Sequence, residues 1–138
     1  MTPAEISIYV GGALTALMAV FHTRFYAIFG WKEEFSKIHL RNRRILTSVH
    51  VALILLFVAL AALSFRYSEE LARAQGLALG IDVALALFWL WRTIWQMAYF
   101  DYPVEYHAHT PAIHYVLVVV FAALAASYAV PAVLGFTA

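Results

Sequence analysis

His22, His50 and His114 are the residues of this chain best equipped for chemistry. Each lies near one end of a different long apolar segment. Neutral imidazole suits zinc, copper or iron, and two imidazoles can ligate haem iron. Arg92 and Gln96, in a further segment, fall at a similar depth, and the guanidinium suits a haem propionate or another anion. Asp82 lies deeper in the segment that carries Arg92. Ionisable groups inside apolar spans are costly and by default suggest function. At about 100° per residue, Gln75, Asp82, Trp89, Thr93 and Gln96 share one helical stripe, with Arg92 and Tyr99 at its edge. Leu77, Ile81, Leu85 and Phe88 are left for the opposite, lipid-facing side. Plainer roles compete with these. A histidine near a helix end often only hydrogen-bonds backbone. Arg92 could snorkel to an interface. A bond from Asp82 to Thr15 or Tyr9 would make that carboxyl structural. Trp89, Trp91, Trp95 and Tyr99 fit an interfacial aromatic belt or the wall of a planar ligand. His39, His107 and His109 fall in connecting segments, and the His107-Ala108-His109 spacing is not specific for a metal.

These residues need long apolar helices to hold them. Of 138 residues, 64% are hydrophobic and 12% charged, about half the charge of a soluble domain. The expected fold is all-α, an integral membrane four-helix bundle in a single domain covering 1–138. The helices are expected over about residues 3–29, 43–65, 69–100 and 111–133, each long enough to cross a bilayer. Thr2-Pro3-Ala4-Glu5 reads as a capping box with proline at the first helical position. Gly11, Gly12, Ala13, Ala16 and Ala19 suit close helix packing, and Gly30 is a C-cap candidate. In WKEEFSKIHLRNRR, Trp31 and Phe35 would lie down at the interface. Ser68 with Glu69 and Glu70 starts the third helix. A net charge of +1 gives no basis for binding nucleic acid, and the absence of cysteine excludes thiol chemistry. The first span lacks the basic start and short apolar core of a cleavable signal.

Orientation follows from lysine and arginine. Arg24, Lys32, Lys37, Arg41, Arg43, Arg44 and Arg92 lie toward one side, and Arg66 and Arg73 toward the other. The positive-inside rule puts loops 1 and 3 in the cytoplasm and both termini outside. The expected location is a bacterial inner membrane, as a multi-pass protein. His22, His50, Arg92, Gln96 and His114 then form one cytoplasmic-side layer, the usual placement of a bundle cofactor site.

Four short spans, outside termini and a basic first loop resemble the MAPEG superfamily (membrane-associated proteins in eicosanoid and glutathione metabolism). The segment from Arg92 to Tyr99, RTIWQMAY, looks like that family's third-helix arginine with a tyrosine seven residues later. Arg43, Thr47 and His50 have the spacing of its second-helix Arg, Asn and Glu. The resemblance implies a homotrimer binding glutathione near the cytoplasmic side, with Arg43 and Arg92 on the anion and Tyr99 assisting the nucleophile. Thr47 and His50 stand where the family has Asn and Glu, and no further arginine follows Arg92. The stretch FWLWRTIWQMAYFD is also similar to small bacterial four-helix membrane proteins.

Three functions are therefore expected in competition. The first is a metal- or haem-binding redox protein, with His22, His50 and His114 as ligands, Arg43, Thr47, Arg92 and Gln96 around the cofactor, and Arg92 and Tyr99 nearest any reaction. The second is a glutathione- or anion-binding protein of the MAPEG kind. The third is a non-enzymatic subunit of a larger membrane complex. The partners are the bilayer and further copies of the chain or other subunits. Asp82 would serve packing or a proton step.

Overall fold

A computed structural model describes residues 1–100 and 110–137. The described residues are helical, with no strand. Four helices are long and apolar enough to cross a membrane: α1 (Pro3–Thr23), α4 (Leu40–Arg66), α6 (Gly76–Ala98) and α7 (Thr110–Thr137). The short helices α2 (Phe25–Ile28), α3 (Trp31–Ser36) and α5 (Ser68–Ala72) lie between them.

The start of α1 follows from its first residues. The Thr2 hydroxyl accepts from the Glu5 N–H at 3.1 Å, and the Thr2 N–H donates back to the Glu5 carboxylate at 2.7 Å. Pro3 gives up only an N–H that has no helical partner at that position. α1 packs against α4 and α7, and α6 packs mainly against α7. Glycines set how close α1 comes. A Cβ on Gly11 would stand 3.0 Å from the Tyr128 ring, and one on Gly12 3.0 Å from the Ser64 Cβ. Phe57 of α4 stacks on Trp89 of α6 and closes the remaining side. The core includes Ile8, Met18, Phe57, Trp89, Phe121, Leu124 and Tyr128. The outer surface is apolar too, with Leu17, Leu55, Leu87 and Val119 all more than half exposed. Such a surface is a liability in water and is at home in lipid.

Several boundaries differ from those expected. The first helix does not run through to residue 29. It stops at Thr23, where Arg24 adopts φ −96°, ψ −1° and its N–H turns back to Phe21 and His22. The His22 carbonyl also accepts a bond from His50 in α4. Gly30 does take the left-handed conformation, φ 62°, between α2 and α3. Trp31 and Phe35 stack on each other at 4.9 Å and turn onto Tyr26, and Trp31 also meets His50, so both face the bundle. α4 begins three residues earlier than expected, because His39 accepts the Arg41 N–H at 3.2 Å and caps it.

The third span is two helices. Ala74 at φ 47° and Gly76 at φ 54° flank an extended Gln75 and break the helical hydrogen-bond ladder between α5 and α6. Gln75 is exposed and outside the stripe it was expected to share. Asp82, Trp89, Thr93 and Gln96 do form the buried face of α6. On the opposite side Leu77, Ile81 and Phe88 are exposed, whereas Leu85 packs against the core. α7 continues to Thr137, through Pro131.

Candidate functional site

At the end of the bundle where α1 stops and α4 begins, His22 and His50 stack with ring centroids 5.8 Å apart. Both are buried. His22 Nδ1 lies 2.7 Å from the Met18 carbonyl, one turn back on its own helix. His50 Nε2 lies 2.9 Å from the His22 carbonyl. A carbonyl only accepts, so these contacts assign the protons to Nδ1 of His22 and Nε2 of His50. His22 Nε2 and His50 Nδ1 are left as the lone-pair nitrogens. Aromatic rings surround the pair. Phe25 stacks on His22 at 4.3 Å, Phe57 meets it edge-on at 5.0 Å, and Trp31 meets His50 edge-on at 4.8 Å.

The second half of the site is on α6 and α7. Arg92 Nη2 donates to the Gln96 carbonyl oxygen at 3.0 Å. The Gln96 amide N–H then donates to His114 Nδ1 at 3.2 Å. This fixes both the amide orientation and the acceptor role of that His114 nitrogen. The spacing i, i+4 from Arg92 to Gln96 puts the first pair on one helical face. The guanidinium lies 4.8 Å over the Phe121 ring and 5.4 Å over Phe100. Its other terminal nitrogen, Nη1, is buried with no hydrogen-bond partner among the described residues. Among the described residues Arg92 therefore faces π electrons and one amide.

An aromatic tier links the two halves. Trp89 stacks between Phe57 at 5.6 Å and Phe121 at 5.5 Å, with interplanar angles of 20° and 24°. Phe57 touches His22 and Phe121 carries Arg92, so the rings run unbroken from imidazole to guanidinium. Trp89 is 1% exposed, and its indole N–H has no partner among the described residues.

The expected residues separate into groups. His22 and His50 come together. Arg92, Gln96 and His114 come together. Among the described residues, no three His, Asp or Glu side chains are grouped to hold a metal ion, so the expected His22, His50 and His114 triad is not preassembled. Thr47 is half-buried and bonded to the Tyr26 hydroxyl at 3.2 Å. Arg43 is half-buried seven residues before His50, two turns farther out along α4. Tyr99 is 65% exposed and stacks on Trp95 at 4.7 Å. Trp91 and Trp95 are exposed with it, so Trp89 alone of the proposed belt is core. Asp82 is fully buried two turns below Trp89, with no partner for either carboxyl oxygen among the described residues and no bond to Thr15 or Tyr9. His39 is spent on the α4 cap. His107 and His109 lie outside the described residues.

Sequence reasoning did not single out Phe25, Phe57 or Phe121 as site walls, nor the hydroxyl cluster of Thr15, Ser64 and Tyr128. Tyr128 bonds Ser64 at 2.8 Å and Thr15 at 3.3 Å. A usable signal was present. Phe57 and Ser64, Trp89 and Asp82, and Phe121 and Tyr128 are each seven residues apart, which keeps each pair on one helical face.

Two cavities are lined by none of His22, His50, Arg92, Gln96 or His114. One of about 310 Å³ is a groove between α6 and α7, lined by Ala86, Leu90, Thr93, Ala122, Ala125, Ala126 and Ala129. The other, of about 260 Å³, is bordered by Asn42, Ile45 and Leu46. No protein-family model matches this chain, and no curated protein or solved structure matches it either.

Proposed function

We propose that the chain is a multi-pass integral membrane protein, with both termini outside, that binds an anionic amphiphile at its cytoplasmic-side layer through Arg92. The observation that carries this reading is the half-buried guanidinium whose buried Nη1 has no hydrogen-bond partner among the described residues. A buried charge needs a counter-charge or a full set of hydrogen bonds. Gln96 and two aromatic faces provide neither in full. A carboxylate or phosphate would take Nη1, and the aromatic tier would meet the apolar body of the same molecule. Orientation rests on the basic stretch from Arg24 to Arg44.

Native mass spectrometry of protein purified without a His tag tests this, with palmitate and phosphatidylglycerol as added probes. We expect a bound anion in the wild type, and at least tenfold weaker binding in Arg92→Gln. Equal affinity in both proteins would remove Arg92 from any site.

A second reading is favoured by the histidine pair. Each imidazole fixes one nitrogen on a backbone carbonyl and offers the other, the arrangement that orients metal-ligating histidines. His22 and His50 would then hold a metal ion or haem in a redox role, with Arg92 on a propionate. An absorption spectrum with metal analysis of the same preparation decides it: a colourless, metal-free protein with an intact fold rejects this second reading. Glutathione binding by Arg43, Thr47 and Arg92 would show in calorimetry. A homotrimer or a larger complex would show in the mass of the detergent-free particle.

A further inference from the structure

The aromatic tier of Phe57, Trp89 and Phe121 is repeated two turns deeper by polar residues. Neighbouring spans run antiparallel, so a step from Trp89 back to Asp82 on α6 matches steps forward from Phe57 to Ser64 on α4 and from Phe121 to Tyr128 on α7. Seven residues are about 10 Å along each axis and preserve the face. Phe57, Trp89 and Phe121 stack on one another, so Asp82, Ser64 and Tyr128 converge at the level below. Ser64 and Tyr128 are hydrogen-bonded there at 2.8 Å.

Donor and acceptor counting shows what this level lacks. Thr15 gives its proton to the Gly11 carbonyl, and Ser64 gives its proton to the Leu60 carbonyl. Tyr128 must therefore donate to Ser64 or Thr15, and neither can donate back. Pro131 has no N–H for the Ser127 carbonyl, one turn earlier on α7. Asp82 adds two oxygens without partners, in a side chain that is fully buried. The cluster has acceptors to spare and no free donor. An ionised carboxylate there would be uncompensated, at a cost that normally drives such groups to neutrality.

We propose that Asp82 is a proton-binding site: it holds one exchangeable proton, directed at the Tyr128 hydroxyl oxygen, between the α4, α6 and α7 helices. The proton supplies the missing donor. Neither Asp82 oxygen is hydrogen-bonded to Tyr128 as it stands, so the proton would reach that hydroxyl by a side-chain rotation or through one bridging water. Apart from Tyr128, no other titratable side chain stands at this level among the described residues. On α1, Tyr9 stacks outward on Phe65, Glu5 sits at the capped end and His22 in the other layer. On α4, Arg66 lies over Tyr67 at the helix end. Glu69 and Arg73 of α5 pair with each other on the surface, where Glu70 is also exposed. On α7, His114 belongs to the Arg92 layer. The groove between α6 and α7 gives a route in from lipid. Ala86 in its lining is one turn from Asp82, and Ala129 adjoins Tyr128.

The test is labelling by dicyclohexylcarbodiimide, an apolar reagent that adds to protonated carboxyls buried in lipid, on the full chain in liposomes. Peptide mass spectrometry locates the adduct. We expect Asp82 to be modified and the rate to fall about tenfold per pH unit above the midpoint of its own titration. In Tyr128→Phe the protonated acid loses its acceptor, so the midpoint should move down by roughly half to one pH unit. Asp82→Asn, close to isosteric, should fold and lose this adduct alone. Absence of labelling at Asp82 in folded wild-type protein, or a rate independent of pH, would overturn the proposal. An unchanged midpoint in Tyr128→Phe would overturn the pairing with Tyr128.

Discussion

Replacing Gly11 by alanine measures how tightly α1 is seated on α7. The new methyl would lie 3.0 and 3.1 Å from two carbons of the Tyr128 ring and 3.2 Å from the Ser127 Cβ. All three distances are tighter than ordinary carbon contacts. The ring cannot simply swing away, because it is fully buried and its hydroxyl is held by Ser64 and Thr15. The Ser127 Cβ moves only with the α7 backbone. Overpacking of this kind costs about 1–3 kcal/mol, and loss of the Tyr128 bond about 1 kcal/mol more. Alanine regains roughly 1 kcal/mol over glycine in helix propensity. The net expectation is a loss of about 1–3 kcal/mol. Gly80 is the control, since a Cβ there meets nothing within 4 Å. Gly80→Ala should keep the propensity gain and be neutral or more stable by up to about 1 kcal/mol. Reversible unfolding in mixed micelles, titrated with sodium dodecyl sulfate, gives both values. If the two variants agree within about 0.5 kcal/mol, a difference typical of surface changes, the close approach of α1 to α7 is not what Gly11 provides.

Trp89→Ala should cost about 3–5 kcal/mol in the same titration, since it empties a buried site flanked by two stacked rings. Trp89→Phe should cost well under half of that, because it keeps an aromatic ring between Phe57 and Phe121; equal losses would mean the stacked ring does not carry the cost. In α3, the Glu34 carboxylate bonded to Lys37 at 2.8 Å, with Glu33 nearby, holds the ammonium above its ordinary pKa. A raised lysine contributes fully below its unfolded value, and the contribution fades as pH climbs through the folded one. Amide exchange in α3, corrected for its intrinsic rate, should therefore stay flat between about pH 7 and 9 and quicken only in stronger alkali. Loosening already near pH 8 would contradict that sign.

Sequence periodicity was enough to find the four spans, because each must satisfy its backbone internally along a long apolar stretch. It also placed Asp82, Trp89, Thr93 and Gln96 on one buried face. The breaks escaped it. Nothing in Ala74 announces a positive φ, and the stop at Thr23 coincides with a contact from another helix, His50 onto the His22 carbonyl. The site was half legible. Charge and imidazole stand out in an apolar chain, so Arg92, Gln96 and the histidines could be listed. Their sorting into a stacked pair and a separate amide-linked trio depends on side-chain directions across helices. Tyr99 shows the same limit: its spacing from Arg92 suggested one site, yet it stacks on Trp95 at the surface. Phe57 and Phe121 were hidden for the opposite reason, since phenylalanine in an apolar span looks like ordinary filling.

The three stacked rings at Trp89 also act as a partition. They lie between α4, α6 and α7 as aromatic rings whose one polar atom, the Trp89 indole nitrogen, has no hydrogen-bond partner among the described residues. On one side lies the Arg92 and histidine layer, and on the other the Asp82 and hydroxyl level. The tier stands about 10 Å above Asp82, and no hydrogen-bonded chain links the two levels among the described residues. A proton bound at Asp82 would then have to come from the α6–α7 groove or from the far end of the bundle, and a charge bound at Arg92 would be felt there only through a medium of low polarisability. A bulky substitution at Ala86 or Ala129, which line that groove, should slow carbodiimide labelling of Asp82 and leave anion binding at Arg92 unchanged.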